Sequence, residues 1–385
     1  MEKRKLWFVA LLLVGVVAYA GEGEVSANSQ SQPLIITLNG LDEEFQNKPF
    51  LQNGSVYLPL RETGTMLDSH TTWIAEGKRI VITNPTTRIE MKLGSKQAIV
   101  NGKTYKMRSI PDNRQGVVYV PARFVSEAFG AKVSWIAEER RALIDVEKPY
   151  LYAAHGESAY WFDRTGGEVF VSEGASAIEL AADTEAEVKD MGELTVDQLS
   201  DDVAVLKVSD IYGEPHVHHM LYKFLLIDGQ LALESEAYYY GHSIRSIDRS
   251  ANDHALLMDG AVLYEVDEEG SVLADYDLQA ITGYEDDSFQ VEWADEQYYV
   301  VRPAETGWLT LIDLESKQAT RLMDVLLDDK KIEILESLDK YSPEFHQWDG
   351  LQVIGREGDA LLLSHNFFIG NEQSEYTYKL NEGNE

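Results

Sequence analysis

Three histidines close together are the most concentrated group of potential metal ligands in this chain. They are His216, His218 and His219, in the run EPHVHH. Histidines two positions apart share one face of a β-strand, so two imidazoles could bind a divalent cation, with Glu214 or Asp210 as a third ligand. The run lacks the longer ligand spacing of zinc motifs, which favours exposed histidines beside a proline turn. We therefore predict no metal site and keep these three residues as the best candidates.

No catalytic group can be chosen from the remaining residue types. The chain contains 66 Asp and Glu residues, and a glycosidase acid and base pair is recognised by a separation that sequence does not show. There is no Gly-x-Ser-x-Gly, no phosphate-binding loop and no EF-hand spacing. The absence of cysteine excludes disulfides, thiolate ligands and a lipid-modified cysteine. We predict no catalytic residue and no cofactor, and favour a protein that is not an enzyme.

An internal repeat organises the first part of the chain. Residues 36–83 and 98–145 align without a gap when the sequence is shifted by 62 positions. The residues that recur at identical positions include Asn39, Gly40, Pro59, Arg61 and Trp73 in the first copy, and Asn101, Gly102, Pro121, Arg123 and Trp135 in the second. Identity in so many uncommon residue types indicates a duplicated structural unit.

Each copy has the pattern of a small α+β unit. Asn-Gly between apolar runs predicts a hairpin, and the Val-Tyr run that follows predicts a strand. Proline then ends the strand and can begin a helix. In the second copy the helix is predicted over 122–129, with Gly130 as its C-terminal stop and strands over 132–136 and 141–146. The unit is therefore strand, hairpin, strand, helix and two strands.

The phrase YVPARFVSEAFGAKVSW at 119–135 resembles the signature of the copper amine oxidase N-terminal-like, or stalk, domain. The resemblance covers residues 34–147 and implies a twisted antiparallel sheet around a helix, in exported proteins of Gram-positive, spore-forming bacteria. In that family the module is an appendage, and copper belongs to a separate catalytic domain. His70 is the only histidine in 34–147, so no oxidase activity is expected. The first copy departs from the signature, with Asp68-Ser69 in place of Gly-Ala.

The two recurring arginines, Arg61 and Arg123, could contact an anion or brace the fold. Their presence in both copies favours bracing, either by packing on Trp73 and Trp135 or by bonding sheet carbonyls. We therefore treat the repeated residues as structural.

The N-terminus predicts export. Lys3, Arg4 and Lys5 precede an apolar run and the cleavage signal Ala-Tyr-Ala at 18–20, so residues 1–20 are predicted to be a signal peptide and 21–33 a linker. The leader carries a net charge of +2, and its removal takes the chain from −33 to about −35. Such a surface disfavours nucleic acid as a partner. We expect a secreted or cell-wall protein with no membrane anchor after cleavage.

Residues 150–385 are predicted to form a mainly-β, propeller-like domain. Four apolar strands end in an aspartate followed by a tight turn, at Asp163, Asp228, Asp267 and Asp313. Their spacings of 65, 39 and 46 residues approximate propeller blades with one insertion, and residues 361–363 and 376–380 could form a fifth blade. Residues 185–199 and 321–340 depart from the pattern, the second with helical spacing. A large β-sandwich with helical insertions is the alternative.

These features predict an exported, non-catalytic protein whose stalk-like module presents a domain that binds an extracellular polymer or protein. One alternative is a carbohydrate-active hydrolase or lyase, which requires a pocket with converging carboxylates. A second alternative is a metal-binding exported protein that uses His216, His218 and His219.

Overall fold

The structure is a computed structural model that describes residues 33–241, 244–285, 287–337, 349–367 and 372–380. The predicted signal peptide and all of the predicted linker except Pro33 lie outside these ranges. Within them the chain is mainly β, with 31 strands and five short α-helices. None of the described helices is long and apolar enough to cross a membrane.

Both copies of the repeat fold into the same series of elements. The first comprises β1 (Ile35–Leu38), β2 (Leu41–Asp42), β3 (Phe50–Gln52), β4 (Ser55–Pro59), α1 (Leu60–Met66), β5 (His70–Ile74) and β6 (Arg79–Thr83), and is followed by β7 (Arg88–Lys92). The second comprises β8 (Gln97–Val100), β9 (Lys103–Lys106), β10 (Asp112–Arg114), β11 (Val117–Pro121), α2 (Ala122–Ala128), β12 (Lys132–Ile136) and β13 (Arg141–Asp145).

A pseudo-twofold axis relates the two copies. Strands β4 and β11 pair antiparallel, with Tyr119 opposite Pro59 and Pro121 opposite Tyr57. These are equivalent positions of the repeat, so the axis passes between Leu58 and its counterpart Val120. Both of these side chains are fully buried in the shared core. The duplication therefore folds as one body with a common core.

Three small sheets surround that core, instead of the single sheet expected from the family resemblance. Their strand orders are β10-β11-β4-β3, β5-β6-β7-β8-β9 and β12-β13-β1-β2. In the last of these β1 pairs directly and in parallel with β13, whereas β7 separates β6 from β8 in the five-stranded sheet. A shift of 62 positions places β7 on residues 150–154, which form a strand of the next region. The counterpart of β7 therefore contributes to a different sheet.

Five antiparallel sheets follow, each with its strands in chain order. The first two contain β14 (Tyr150–His155), β15 (Ser158–Asp163), β16 (Glu168–Glu173) and β17 (Glu179–Asp183), then β18 (Met191–Gln198), β19 (Val203–Tyr212), β20 (His218–Ile227) and β21 (Gln230–Tyr240). The last three contain β22 (Ala255–Asp259), β23 (Val262–Val266) and β24 (Val272–Asp277), then β25 (Phe289–Ala294), β26 (Tyr298–Pro303), β27 (Thr310–Asp313) and β28 (Gln318–Arg321), then β29 (Leu351–Glu357), β30 (Ala360–Phe367) and β31 (Glu372–Lys379). The mainly-β prediction for this region is confirmed.

Among the described residues of this region, helices occupy only the connections between strands. They are α3 (Leu278–Thr282), α4 (Leu322–Leu326) and α5 (Asp329–Glu336). Helices α4 and α5 account for the helical spacing predicted in residues 321–340. Residues 185–199, which also depart from the strand-and-turn pattern, contain strand β18. Apolar clusters lie between consecutive sheets, so that β14–β17 pack on β18–β21 and β25–β28 pack on β29–β31.

The four predicted aspartate turns are present, but they join different pairs of strands. Asp163, Asp267 and Asp313 each accept backbone N–H groups of the following turn through one carboxylate oxygen. Asp228 instead takes a φ of 50° before Gly229 at 71°, as a two-residue hairpin requires. Two of the turns follow the second strand of a sheet and two follow the third. Their uneven spacing therefore reflects their position within each sheet.

Candidate functional site

The three clustered histidines are separated in the structure. Strand β20 begins at His218, so His216 lies in the preceding turn, with its Nε2 3.1 Å from Asp190 Oδ2. His219 is buried on the opposite face of the strand from His218, and its Nε2 lies 2.8 Å from the carbonyl oxygen of Gly241. The expectation that His216 and His218 share a strand face is wrong, because only His218 is in the strand.

The suggested carboxylate ligand Asp210 is already engaged. Its side chain is fully buried and accepts the backbone N–H groups of Lys189, at 2.7 Å, and Asp190, at 3.2 Å. Across the described residues, no group of three or more histidine and carboxylate side chains is arranged to hold a metal ion.

His218 instead belongs to a row of aromatic side chains at one end of the sheet β18–β21. Tyr212 and Tyr240 lie opposite His218 on the two neighbouring strands. The His218 ring stacks on Tyr212 at 5.2 Å between centroids, and its Nδ1 lies 2.8 Å from the Tyr238 hydroxyl. Lys189 Nζ lies 4.5 Å above the Tyr212 ring. Tyr238 and Tyr240 are 41% and 49% exposed, so this aromatic row faces solvent.

A charged cavity lies on the opposite face of the same sheet. Its volume is about 250 Å³, and we call it the lysine pocket. It is lined by Thr195, Val196, Asp197, Val205, Lys207, Lys223 and Asp248. Strands β18, β19 and β20 supply all of these residues except Asp248, which lies in the segment before β22.

Two lysines face each other across neighbouring strands in this pocket. Lys207 on β19 is directly opposite Lys223 on β20. Both bind one carboxylate: Lys223 Nζ lies 2.9 Å from Asp248 Oδ1, and Lys207 donates to Asp248 Oδ2. Lys223 is 5% exposed and also donates to the Leu256 carbonyl oxygen at 2.6 Å. A buried ammonium is therefore held by one carboxylate that it shares with a second ammonium.

The rim of the pocket carries a second ion pair. Arg249 binds Asp197 through two parallel hydrogen bonds, of 2.8 Å and 2.6 Å. Bidentate arginine–carboxylate pairs combine charge attraction with fixed geometry. Arg249 also contacts Asp253 at 2.9 Å. Arg249, which does not itself line the pocket, therefore orients Asp197 and neutralises its charge.

The pKa shifts of the pocket follow from burial and from these pairs. Burial lowers the pKa of Lys223, and the charge of Asp248 opposes that shift. Burial alone would raise the pKa of Asp248, but the charge of Lys223 and hydrogen bonds from both lysines bring it below its usual range. A general acid needs a raised carboxyl pKa, so Asp248 is unsuited to the acid role of a glycosidase.

Other buried charges are fully engaged in holding sheets together. Arg302 is 0% exposed and binds Glu292 and Asp349, the latter at 2.9 Å, as well as the Leu351 carbonyl oxygen at 2.6 Å. These contacts join β26 to the start of β29. A buried network of this kind, in which the groups have partners, rigidifies the fold.

The recurring residues of the repeat occupy turns and helix ends. Asn39-Gly40 and Asn101-Gly102 take φ angles of 48° and 86°, and of 47° and 77°, as hairpin turns of type I′ require. Pro59 and Pro121 immediately precede α1 and α2, and Gly130 has a φ of 84° just after α2.

The two arginines lie in the exposed first turn of each helix. Arg123 donates to the Val133 carbonyl oxygen at 2.9 Å and to Glu127 at 3.1 Å, which is a bracing contact to a neighbouring strand. Arg61 is exposed at the equivalent place in α1. Trp73 and Trp135 are 38% and 37% exposed.

One corner of the first copy contacts the sheet β14–β17. This contact, which we call the junction, is formed on the repeat side by Asp68, His70, Thr72 and Arg88. The Asp68 carbonyl oxygen accepts Trp161 Nε1 at 2.9 Å, and its carboxylate lies 3.0 Å from Lys148 Nζ.

The other junction residues bind backbone and a tyrosine of that sheet. His70 Nδ1 lies 3.1 Å from the Tyr152 hydroxyl. Thr72 donates to the Gly174 carbonyl oxygen at 3.0 Å, and Arg88 donates to those of Ala175 and Ser176. The junction therefore covers the place where the first copy departs from the family signature.

Sequence reasoning missed both the junction and the lysine pocket. A signal for the pocket exists in the sequence, because Lys207 and Lys223 each lie in the middle of a largely apolar strand, which in β19 contains one other charged residue, Asp210. Their common partner, Asp248, lies 25 residues beyond Lys223, in a segment without periodicity.

Solved structures similar to this chain share little sequence with it. One is the dihydro-heme d1 dehydrogenase NirN, with 12% identity over 66% of this chain and 46% of that chain and a TM-score of 0.24. Another is a nidogen/laminin complex, with 11% identity over 71% of this chain and 90% of that chain and a TM-score of 0.21. A third is a puromycin-hydrolysing peptidase of Mycobacterium tuberculosis, with 11% identity over 82% of this chain and 52% of that chain and a TM-score of 0.25. This chain spans less than half the length of NirN, and TM-scores this low support no inference about fold or function.

No curated protein matches this chain. Residues 37–144 match the family described as the copper amine oxidase N-terminal domain, which agrees with the duplicated unit described above. This segment of the chain is therefore similar to the copper amine oxidase N-terminal domain, and the match covers less than a third of the chain.

Proposed function

We propose that this is an exported, non-catalytic protein in which the duplicated module acts as a stalk for a β region that binds an extracellular polymer. The observation that carries the proposal is the junction. Asp68, His70, Thr72 and Arg88 attach the module to the first sheet of the β region through hydrogen bonds, and Asp68 also pairs with Lys148 just before that sheet. A module attached in this way holds the β region in a defined orientation, as a spacer must.

The order of the sheets supports a propeller-like β region. Five antiparallel sheets follow one another, and apolar clusters fill the space between consecutive sheets. Propeller blades are small antiparallel sheets of this kind. In this proposal the sheets β14–β17, β18–β21, β22–β24, β25–β28 and β29–β31 are the blades.

The leader and the surface charge support an extracellular location. Residues 1–20 have the basic, apolar and small-residue order of a signal peptide, and the chain contains no cysteine. A net charge near −35 after cleavage promotes solubility outside the cell. We propose secretion with retention on the cell wall.

The aromatic row is the surface proposed to contact the polymer. Tyr238 and Tyr240 are partly exposed beside His218, and Lys189 adds a positive charge at the far side of Tyr212. Tyrosines that combine an apolar ring with a hydroxyl bury area while keeping a hydrogen-bonding group, which suits the mixed surface of a sugar polymer.

Sedimentation with purified Gram-positive cell walls tests this proposal. The chain lacking residues 1–20 is expected to sediment with the walls, and the double variant Tyr238→Ala/Tyr240→Ala is expected to lose at least fivefold in affinity. Tyr105→Ala is the matched control, because Tyr105 is 46% exposed in the stalk module. If the unmodified chain stays in solution, wall binding is wrong. If the double variant binds like the control, the aromatic row is not the contact surface.

A further inference from the structure

We propose that the lysine pocket binds a small oxyanion, the carboxylate or phosphate group of a solute. This binding goes beyond the stalk function and does not depend on it, because the pocket lies on the opposite face of the sheet from the aromatic row. The pocket is distinct from the module that matches the copper amine oxidase family.

The charges of the pocket favour an anion. Lys207, Lys223 and Arg249 carry three positive charges, and Asp197, Asp248 and Asp253 carry three negative ones, of which the Asp253 carboxylate is 84% exposed and screened by solvent. Arg249 is directed to Asp197 and Asp253 on the rim, so the two lysines share Asp248 alone. The group formed by the two lysines and Asp248 therefore has one excess positive charge, in a chain whose formal net charge is −33.

The direct opposition of the two lysines on neighbouring strands lowers the stability of the fold. Like charges directly opposite each other on neighbouring strands are destabilising. Lys223 is also buried, and desolvation disfavours its charged form. Local features that oppose stability are expected at functional sites. The Asp248 carboxylate bridges the two ammonium groups and offsets part of these costs, and an anion that binds their remaining N–H donors would offset more.

The geometry leaves room and donors for such a group. An ammonium has three N–H donors, and within the part of the chain that the structure describes Lys207 contacts one partner, Asp248. Val205 adds apolar surface to the lining, which lowers the local dielectric constant and strengthens charge attraction. The cavity of about 250 Å³ accommodates a small oxyanion together with water. A cation is disfavoured, because both pocket carboxylates are bound by basic side chains.

Titration calorimetry of the chain lacking residues 1–20 tests the proposal. Sodium phosphate and sodium acetate are added separately, with sodium chloride at equal ionic strength as the blank. We expect saturable binding of at least one oxyanion. Binding of phosphate alone identifies a phosphate group as the ligand, and binding of acetate alone identifies a carboxylate.

Three variants locate the binding. Lys207→Gln should weaken it at least tenfold, and Lys207→Arg should retain it, because arginine keeps the charge and the donors. Lys331→Gln is the control and should bind like the unmodified chain, since Lys331 pairs with Glu372 away from the pocket. Thermal unfolding of each variant shows that it is folded. The proposal is overturned if neither oxyanion binds, or if Lys207→Gln binds as well as Lys331→Gln.

Discussion

The two copies of the repeat have the same elements but different neighbours. In the second copy Gly130 and Lys132 follow the helix and face solvent. In the first copy the equivalent Asp68 and His70 are covered by the sheet β14–β17. Asp68 keeps the positive φ of this corner, at 47° against 84° for Gly130. The first copy has therefore diverged where it contacts another part of the chain, while the turn itself is retained.

The largest expected effect comes from the indole that enters this corner. Trp161→Ala removes a fully buried ring and its hydrogen bond to Asp68, and should lower the free energy of unfolding by about 3–5 kcal/mol. As a reference in the second copy, Trp135→Ala removes a ring that is 37% exposed and should cost less than about 1 kcal/mol. Urea unfolding measures both. Equal losses would mean that the Trp161 indole does not stabilise the corner of the first copy as described.

A smaller effect is expected from the ion pair of the junction. Burial raises the pKa of Asp68 and Lys148 opposes that rise, so Lys148→Met leaves a partly buried carboxylate without its counterion. We expect a loss of about 1 kcal/mol at pH 7, since the pair is only partly screened by solvent. Adding Asp68→Asn should restore stability, because the raised pKa means that the fold disfavours this charge.

The second copy provides the control for the ion pair. Glu127→Gln breaks the Arg123–Glu127 pair, whose side chains are 58% and 50% exposed, and should change stability by less than about 0.5 kcal/mol. Thermal unfolding at pH 7 compares the four proteins. A double variant as unstable as Lys148→Met would contradict the role assigned to the Asp68 charge.

The smallest expected effect is a pH dependence of the junction through His70. Burial lowers the pKa of His70, although Glu173 and Glu157 oppose this shift. Below pH 6.5 the unfolded chain binds a proton at this position that the folded chain resists, so the stability contribution falls as pH drops from 6.5 toward the folded pKa. The variant His70→Gln should lose this part of the pH dependence of the free energy of unfolding. His155→Gln, which removes an exposed imidazole, should keep it in unfolding curves recorded at several pH values.

Local signals in the sequence predict much of the first region. Asn101-Gly102 specifies its hairpin, Pro121 the start of α2, and Gly130 its end, because each residue has a backbone preference that acts within one turn. The aspartate turns of the β region are predictable for the same reason. The number of residues in each sheet cannot be predicted from these turns, because the same kind of turn follows the second strand in some sheets and the third strand in others.

The junction and the lysine pocket depend on contacts between distant segments. Trp161 reaches the Asp68 carbonyl across 93 residues, and Asp248 reaches Lys207 across 41. A buried lysine in an apolar strand indicates a partner, but its identity follows only from tertiary packing. The divergence of Asp68-Ser69 from Gly-Ala was visible in the sequence, but the reason for it appears only when the sheet β14–β17 is in place.

The central claim is that the junction holds the stalk module and the β region in one orientation. The chain has no cysteine, so cysteines introduced at Lys103 and Glu179, both exposed, can carry spin labels for pulsed electron–electron distance measurement. We predict a single narrow distance distribution, which broadens when Trp161→Ala is added. A broad distribution in the protein with Trp161 intact would contradict the claim.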